Sequence, residues 1–203
     1  MIQNIWQQIV TAWLAQDPLE VVAVIAAILY LVLAIRENIW CWLFAFISTS
    51  IYIYLFHSVS LLSESLLNIY YLVMAVYGWY QWQHGKNNLQ RQIISWPVKK
   101  HALLILITGL IVPVLGLGMS QLGASMPYLD AFTTCFAVLA TVMVTHKVLE
   151  NWHYWLVINV LSVYLFSIKG LYLTAAMFAL YVILTIIGYM NWNKNYASQR
   201  NLV

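Results

Sequence analysis

ENIWCWL (37–43) and ENWHYWL (150–156) begin two apolar stretches 113 residues apart, and their likeness decides how the chain is organised. Glu37-Asn38 aligns with Glu150-Asn151 and Trp42-Leu43 with Trp155-Leu156, and Asp17 and Asp130 share the offset. Further on the offset becomes 110: Tyr71 pairs with Tyr181, Gly78 with Gly188 and Trp82 with Trp192. A three-residue difference in the loop before the third helix of each unit would reconcile the two offsets. Self-similarity at one long period marks duplicated structural units.

Composition sets the solvent. Of 203 residues, 64% are hydrophobic and 7% charged, with mean hydropathy +0.81. An ordinary soluble domain is about 25% charged. Nine basic and six acidic side chains cannot clothe a water-facing surface of this size. A soluble enzyme, a nucleic-acid binder and a disordered chain are excluded, leaving an all-α integral membrane protein. The net charge of +3 reads as loop bias. Cys41 and Cys135 both fall in apolar runs and read as small buried hydrophobes, not a disulfide or a metal site.

A helix crosses the hydrocarbon layer with about 20 apolar residues. Seven stretches qualify, near 18–36, 39–57, 61–83, 101–118, 130–149, 152–169 and 171–193. Residues 1–16 put Ile2, Ile5, Trp6, Ile9 and Trp13 at helical spacing opposite Gln and Asn, the pattern of an interfacial amphipathic helix. They lack the basic start of a signal peptide. The organisation is then a first three-helix bundle over 17–83, a basic loop, linker helix and outer loop over 84–129, a second bundle over 130–193, and a cytoplasmic tail over 194–203. Pro113 is expected to kink the linker helix. Two like-oriented triplets joined by one helix form a 3+1+3 parallel repeat, a transporter architecture.

Alternating loops sort Arg36, Lys86, Arg91, Lys99, Lys100, Lys147, Lys194 and Arg200 to one side and Lys169 alone to the other. Positive residues stay inside, so the N-terminus is expected outside and the C-terminus in the cytoplasm.

Polar groups at membrane depth are the functional candidates. Glu64 is the one acidic residue expected within a span, where a carboxylate costs about 2.5–3.5 kcal/mol. Asn68 and Tyr71 follow at four and seven residues, so the three share a helix face. Trp155, Asn159 and Ser162 form a second stripe, and Ser48 and Tyr52 a third. Amides and hydroxyls from both bundles, with aromatic walls including Trp79, Tyr164 and Tyr181, suit a flat cationic heterocycle. A cation over such a ring gains roughly 0.5–2 kcal/mol. The competing readings are interhelical glue for Asn68 and water contact for Glu64. Trp82, Trp96, Trp152 and Trp192 lie near expected helix ends and read as an interfacial belt. Glu37-Asn38 and Glu150-Asn151 read as helix-start caps, with a gate as the second reading. The threonines over 133–145 are expected to bond their own helix backbone. No catalytic motif is present, so the chain is not expected to be an enzyme or to need a cofactor. A membrane scaffold is the reading from another class, and the buried polar faces argue against it. Without a chain of buried carboxylates for proton coupling, transport by facilitated diffusion is expected.

NIYYLVMAVYGWYQW (68–82) and KVLENWHYWLVINVLSVYLFSIKGLYL (147–173) resemble the third- and sixth-helix signatures of the PnuC vitamin transporters. The likeness extends over about 20–193. It implies a 3+1+3 fold related to the SWEET sugar transporters, a homotrimer, a place in the bacterial inner membrane, and downhill uptake of a B-vitamin that intracellular phosphorylation traps. It places Trp155 and Asn159 at substrate positions. Asn68 stands where nicotinamide riboside members usually have Gln, and Glu64 where they have a small or neutral residue. Those departures resemble the thiamine-type members, so the expected ligand is thiamine, with nicotinamide riboside as the alternative.

Overall fold

The computed structural model describes residues 18–58, 62–84, 91–123, 126–168 and 170–201, without the side chains of Phe56, Ser58, Leu62, Ser63, Glu64 and Leu173. The expected interfacial helix at 1–16 lies outside the described residues, as do Asp17 and Lys169. Within them the chain is helical, with one isolated β-bridge. The helices are α1 (Pro18–Ile35), α2 (Cys41–Ser58), α3 (Leu62–Gln83), α4 (Val98–Gln121), α5 (Pro127–Thr145), α6 (Asn151–Ile168) and α7 (Tyr172–Arg200). By length and composition α1, α4, α5 and α7 can each cross a membrane. The other three carry most of the amides and hydroxyls that lower their hydropathy.

Several boundaries move from the sequence expectation. α5 starts at Pro127, not Asp130, because proline suits the first helical turn and its missing N–H is lost at no cost there. Asp130 then lies in that turn, where the helix dipole favours a carboxylate. α4 spans 24 residues, absorbing parts of both expected loops, and continues through Pro113. α7 runs to Arg200, so the expected tail at 194–203 is largely helical. No Gly or Pro follows Gly188 to stop it.

The repeat register also changes. Glu37 and Lys147 are 110 residues apart, and the same separation relates Cys41 to Asn151, the first residues of two 18-residue helices. It also relates Leu62 to Tyr172, the starts of α3 and α7. One offset of 110 thus relates α1, α2 and α3 to α5, α6 and α7, and no loop difference separates the two sets. The Glu-Asn likeness at 113 paired positions one turn out of register.

Helix ends explain why 110 is correct. The amide of Glu37 donates to Ala34 O (3.0 Å) and that of Asn38 to Leu33 O (2.9 Å). In the other set, Lys147 donates to Val144 O (2.9 Å) and Val148 to Met143 O (2.9 Å). Both are Schellman closures with a left-handed residue after the helix. Those residues are Glu37 (φ 54°) and Lys147 (φ 50°), where glycine is usual.

Above these turns sits the core. α3 packs on α5 and α7 on α1, so the third helix of each set meets the first helix of the other. Trp82 Nε1–H donates to Val144 O (3.1 Å) and Trp192 Nε1–H to Ala34 O (3.0 Å), positions again related by 110. Trp42 stands edge-on to Trp82 (5.4 Å) and Trp152 to Trp192 (5.3 Å), with Trp82 and Trp192 6.1 Å apart between them. Each such pair contributes about 0.5–1.5 kcal/mol beyond area burial. Trp82, Trp152 and Trp192 are therefore core residues, 2%, 3% and 0% exposed, and not the expected belt. Carbonyls in the last turns of the opposing helices partner the indole N–H groups of Trp82 and Trp192, whereas that of Trp152 is buried without a partner among the described residues. Trp96 alone of that group is half-exposed, under the Lys100 ammonium.

Gly78 and Gly188 make this packing possible. A β-carbon on either would overlap the benzo ring of Trp42 or Trp152 respectively. Gly78→Ala and Gly188→Ala are each expected to destabilise the fold by about 1–3 kcal/mol through overpacking. Gly109→Ala, which meets nothing within 4 Å, should not. Thermal unfolding in detergent distinguishes them.

Candidate functional site

The polar residues nominated from sequence fall into three settings. α6 presents Trp155, Asn159 and Ser162 along one face, as their spacing requires. Asn159 is 4% exposed and its Nδ2 donates to Thr185 Oγ1 of α7 at 3.0 Å. Ser162 is buried nearby on the helix. The amide's N–H is thus held by one neighbour, which orients its carbonyl oxygen. Thr185, 2% exposed, was not apparent in the sequence because a lone threonine in a long apolar helix carries no spacing signal.

Trp155 packs against both buried apolar clusters, the tryptophan core and a second one of Phe136, Ala137, Ala140 and Ile158. Tyr71 of α3 packs on the second cluster as well, so the structure brings Tyr71 and Trp155 to one region between the helix sets. Tyr30, its ring 6.0 Å from Trp42, is a further wall residue that sequence reasoning missed. Asn68, one turn from Tyr71, is buried. Of the other walls proposed from sequence, Tyr164 is 57% exposed on the outer surface and faces away from the interior. Trp79 stacks edge-on with Trp40 (5.4 Å) and lines an outward-facing apolar groove with Trp42, Leu43, Phe46, Ala75 and Val76.

The remaining nominees serve packing in this conformation or are not described. Ser48 is buried and donates to Ala23 O at 2.9 Å, joining α2 to α1. Glu64 lies in the first turn of α3, with its side chain outside the described residues. Thr133, Thr141 and Thr145 bond carbonyls of their own helix, as expected. Both cysteines are free. Among the described residues no group of His, Cys, Asp and Glu could hold a metal.

The site is asymmetric although the scaffold repeats. Counting back 110, Thr185 corresponds to Ala75 and Asn159 to Thr49, which bonds its own helix at Ala45 O (2.8 Å). The amide–hydroxyl pair therefore exists in one set of helices only.

The Glu-Asn motifs do more than cap. Asn38 Oδ1 accepts from the Trp40 amide at 3.0 Å, which is a local turn. Glu37 instead reaches Lys147 (2.9 Å) and Asn195 (2.8 Å) in the other helix set. Glu150 accepts from the Ser95 hydroxyl and from the Trp96 amide (3.2 Å), fastening the segment before α4. Lys147, counted above with the loop charges, is in fact 3% exposed.

The described helices pack around a buried amide and aromatic rings, and four of them are long and apolar enough to cross a membrane, which is a multi-pass membrane architecture. Residues 17–194 match the family described as "Nicotinamide mononucleotide transporter", and the chain belongs to that family. It is similar to the nicotinamide riboside transporter PnuC of Escherichia coli K12, with 29% identity over 83% of this chain and 81% of the relative. The protein of that name from Neisseria mucosa is 27% identical over 90% and 73%, and that from Haemophilus influenzae 27% over 96% and 86%. Among solved structures, one titled "Crystal structure of the Vitamin B3 transporter PnuC" superposes with a TM-score of 0.74 at 24% identity, over 97% of this chain and 90% of that one. The last likeness establishes the fold. These relatives are transporters, and this protein is a transporter and not an enzyme.

Thr185→Val keeps the shape and removes the acceptor for the Asn159 amide. The buried N–H left unpaired should cost about 1–3 kcal/mol. A lowered thermal midpoint, absent when Thr49→Val removes a hydroxyl that bonds only its own helix, is the expected result.

Proposed function

We propose that the protein carries nicotinamide riboside into the bacterial cytoplasm across the inner membrane. The observation that carries this reading is the Asn159–Thr185 pair beside Trp155, a buried amide presented next to an indole face between two helix sets. A pyridinium ring with an attached carboxamide and sugar suits that arrangement: the indole attracts the flat cation, and the amide oxygen can accept a hydrogen bond. The names of the relatives support nicotinamide riboside over thiamine, which the sequence pattern at Glu64 and Asn68 had favoured.

In this reading Trp155, Asn159 and Ser162 hold one end of the ligand. Glu64, Asn68 and Tyr71 meet the other, with Tyr52 as a wall and Ser48 behind it. All seven helices cross the bilayer in a 3+1+3 parallel repeat, and the basic end of the molecule lies in the cytoplasm with the C-terminus. Rocking of the two sets about the site alternates access. Flux is downhill, phosphorylation of the imported vitamin maintains the gradient, and three copies assemble as a homotrimer.

Calorimetry on the purified protein tests the substrate. Nicotinamide riboside should bind, and Trp155→Ala should weaken it by about 1–2 kcal/mol, the size of a well-placed cation–π contact. Binding of thiamine with none of nicotinamide riboside would reverse the assignment. Glu64→Gln should lower affinity if the carboxylate meets the ligand, and unchanged affinity would remove Glu64 from the site.

A further inference from the structure

Glu37 and Lys147 are the two non-glycine residues with positive φ among the described residues, and they are also each other's ion-pair partners. They occupy equivalent positions in the repeat, 110 apart, so the pair sits where the two helix sets meet each other symmetrically. Left-handed backbone at a residue other than Gly is unfavourable, and such strain gathers at switch regions. Here it aims both side chains across the boundary between sets. Lys147 is 3% exposed, its ammonium 2.9 Å from Glu37 Oε2 and 4.6 Å from the centre of the Trp82 ring. Asn195 Nδ2 occupies the other Glu37 oxygen at 2.8 Å.

We propose that Glu37 and Lys147 form the latch that closes this end of the carrier, and that their separation is a required step of transport. The inference rests on the carrier reading above. Two charges buried together are tolerable only while paired, yet each regains water as soon as the sets part. A purely apolar seal exposes greasy surface on opening, whereas an ion pair exchanges its partner for hydration. That makes the contact reversible, which a gate needs and a permanent scaffold does not.

The native Cys41 provides a reporter. It is free and fully buried at the start of α2, three residues after the Schellman closure that Glu37 makes. The full-length chain carrying Cys135→Ser, reconstituted in liposomes, is treated with a small membrane-permeant maleimide and the rate of Cys41 labelling followed. Glu37→Gln leaves Lys147 buried without a counter-charge and is expected to raise the rate at least tenfold. The double variant Glu37→Gln with Lys147→Gln removes both charges, and the latch with them, without leaving a buried unpaired charge, and is expected to label at least threefold faster than the parent. Labelling of either variant at the parent's rate overturns the latch. No substrate is involved, so the outcome stands whatever the vitamin proves to be. Should the glutamine variants not fold, Glu37→Cys with Lys147→Cys, in a chain with both native cysteines replaced by serine, is joined by a short reducible bifunctional thiol reagent. Nicotinamide riboside binding should persist while flux falls at least tenfold and returns on reduction. Flux unchanged by the bridge overturns the proposal, and absent binding before bridging counts against the substrate reading instead.

Discussion

The fold depends on an exchange of hydrogen bonds between helix ends. Every helix leaves its last carbonyls without intrahelical partners, and in a membrane protein those groups are costly if left bare. Here the closures after α1 and α5 satisfy part of that need, and an indole from the opposite helix set satisfies more. Trp82 reaches Val144 and Trp192 reaches Ala34, so each set completes the other. The glycines one turn earlier admit the second pair of tryptophans, which fixes how closely the sets approach. Without hydrophobic drive between helices in lipid, close packing and such bonds carry the association.

On this common frame the polar interior is unequal. Duplication gave both sets the same tryptophan and glycine positions, while the amide and its hydroxyl partner occur in α6 and α7 alone. A ligand with two chemically different ends calls for that inequality. The shared positions hold the sets together, and the divergent ones are those the proposed site draws on.

Membrane residence, the seven helices among the described residues and the existence of a repeat were legible in the sequence because hydropathy and periodicity report them directly. The register was not. Glu37 and Lys147 are structurally equivalent but opposite in charge, so identity matching passed over them and seized on Glu150 instead. Burial of Trp82, Trp152 and Trp192 was hidden for a related reason: a tryptophan near a helix end signals an interface belt equally well when its partner is a carbonyl from a distant helix. Trp155 and Asn159 could be placed on one helix face from sequence because they stand at short spacing. Thr185 and Tyr30 were not apparent, since their significance arises only where α7 meets α6 and α1 meets α2.

The segment leading into α4 bonds the turn after α5: Ile94 accepts from Leu149 (2.8 Å) and donates to Lys147 O (3.0 Å), while Arg91 donates to His146 O (3.1 Å). The turn after α1 has no such brace among the described residues. Its outside supports, Asn191 on Ile35 O, Trp192 on Ala34 O, and Asn195 and Lys147 on Glu37, all come from the other helix set. Any parting of the two sets therefore strips one turn of its supports and leaves the other splinted. In the carrier proposed above, one side would serve as a fixed jamb and the other as the swinging leaf.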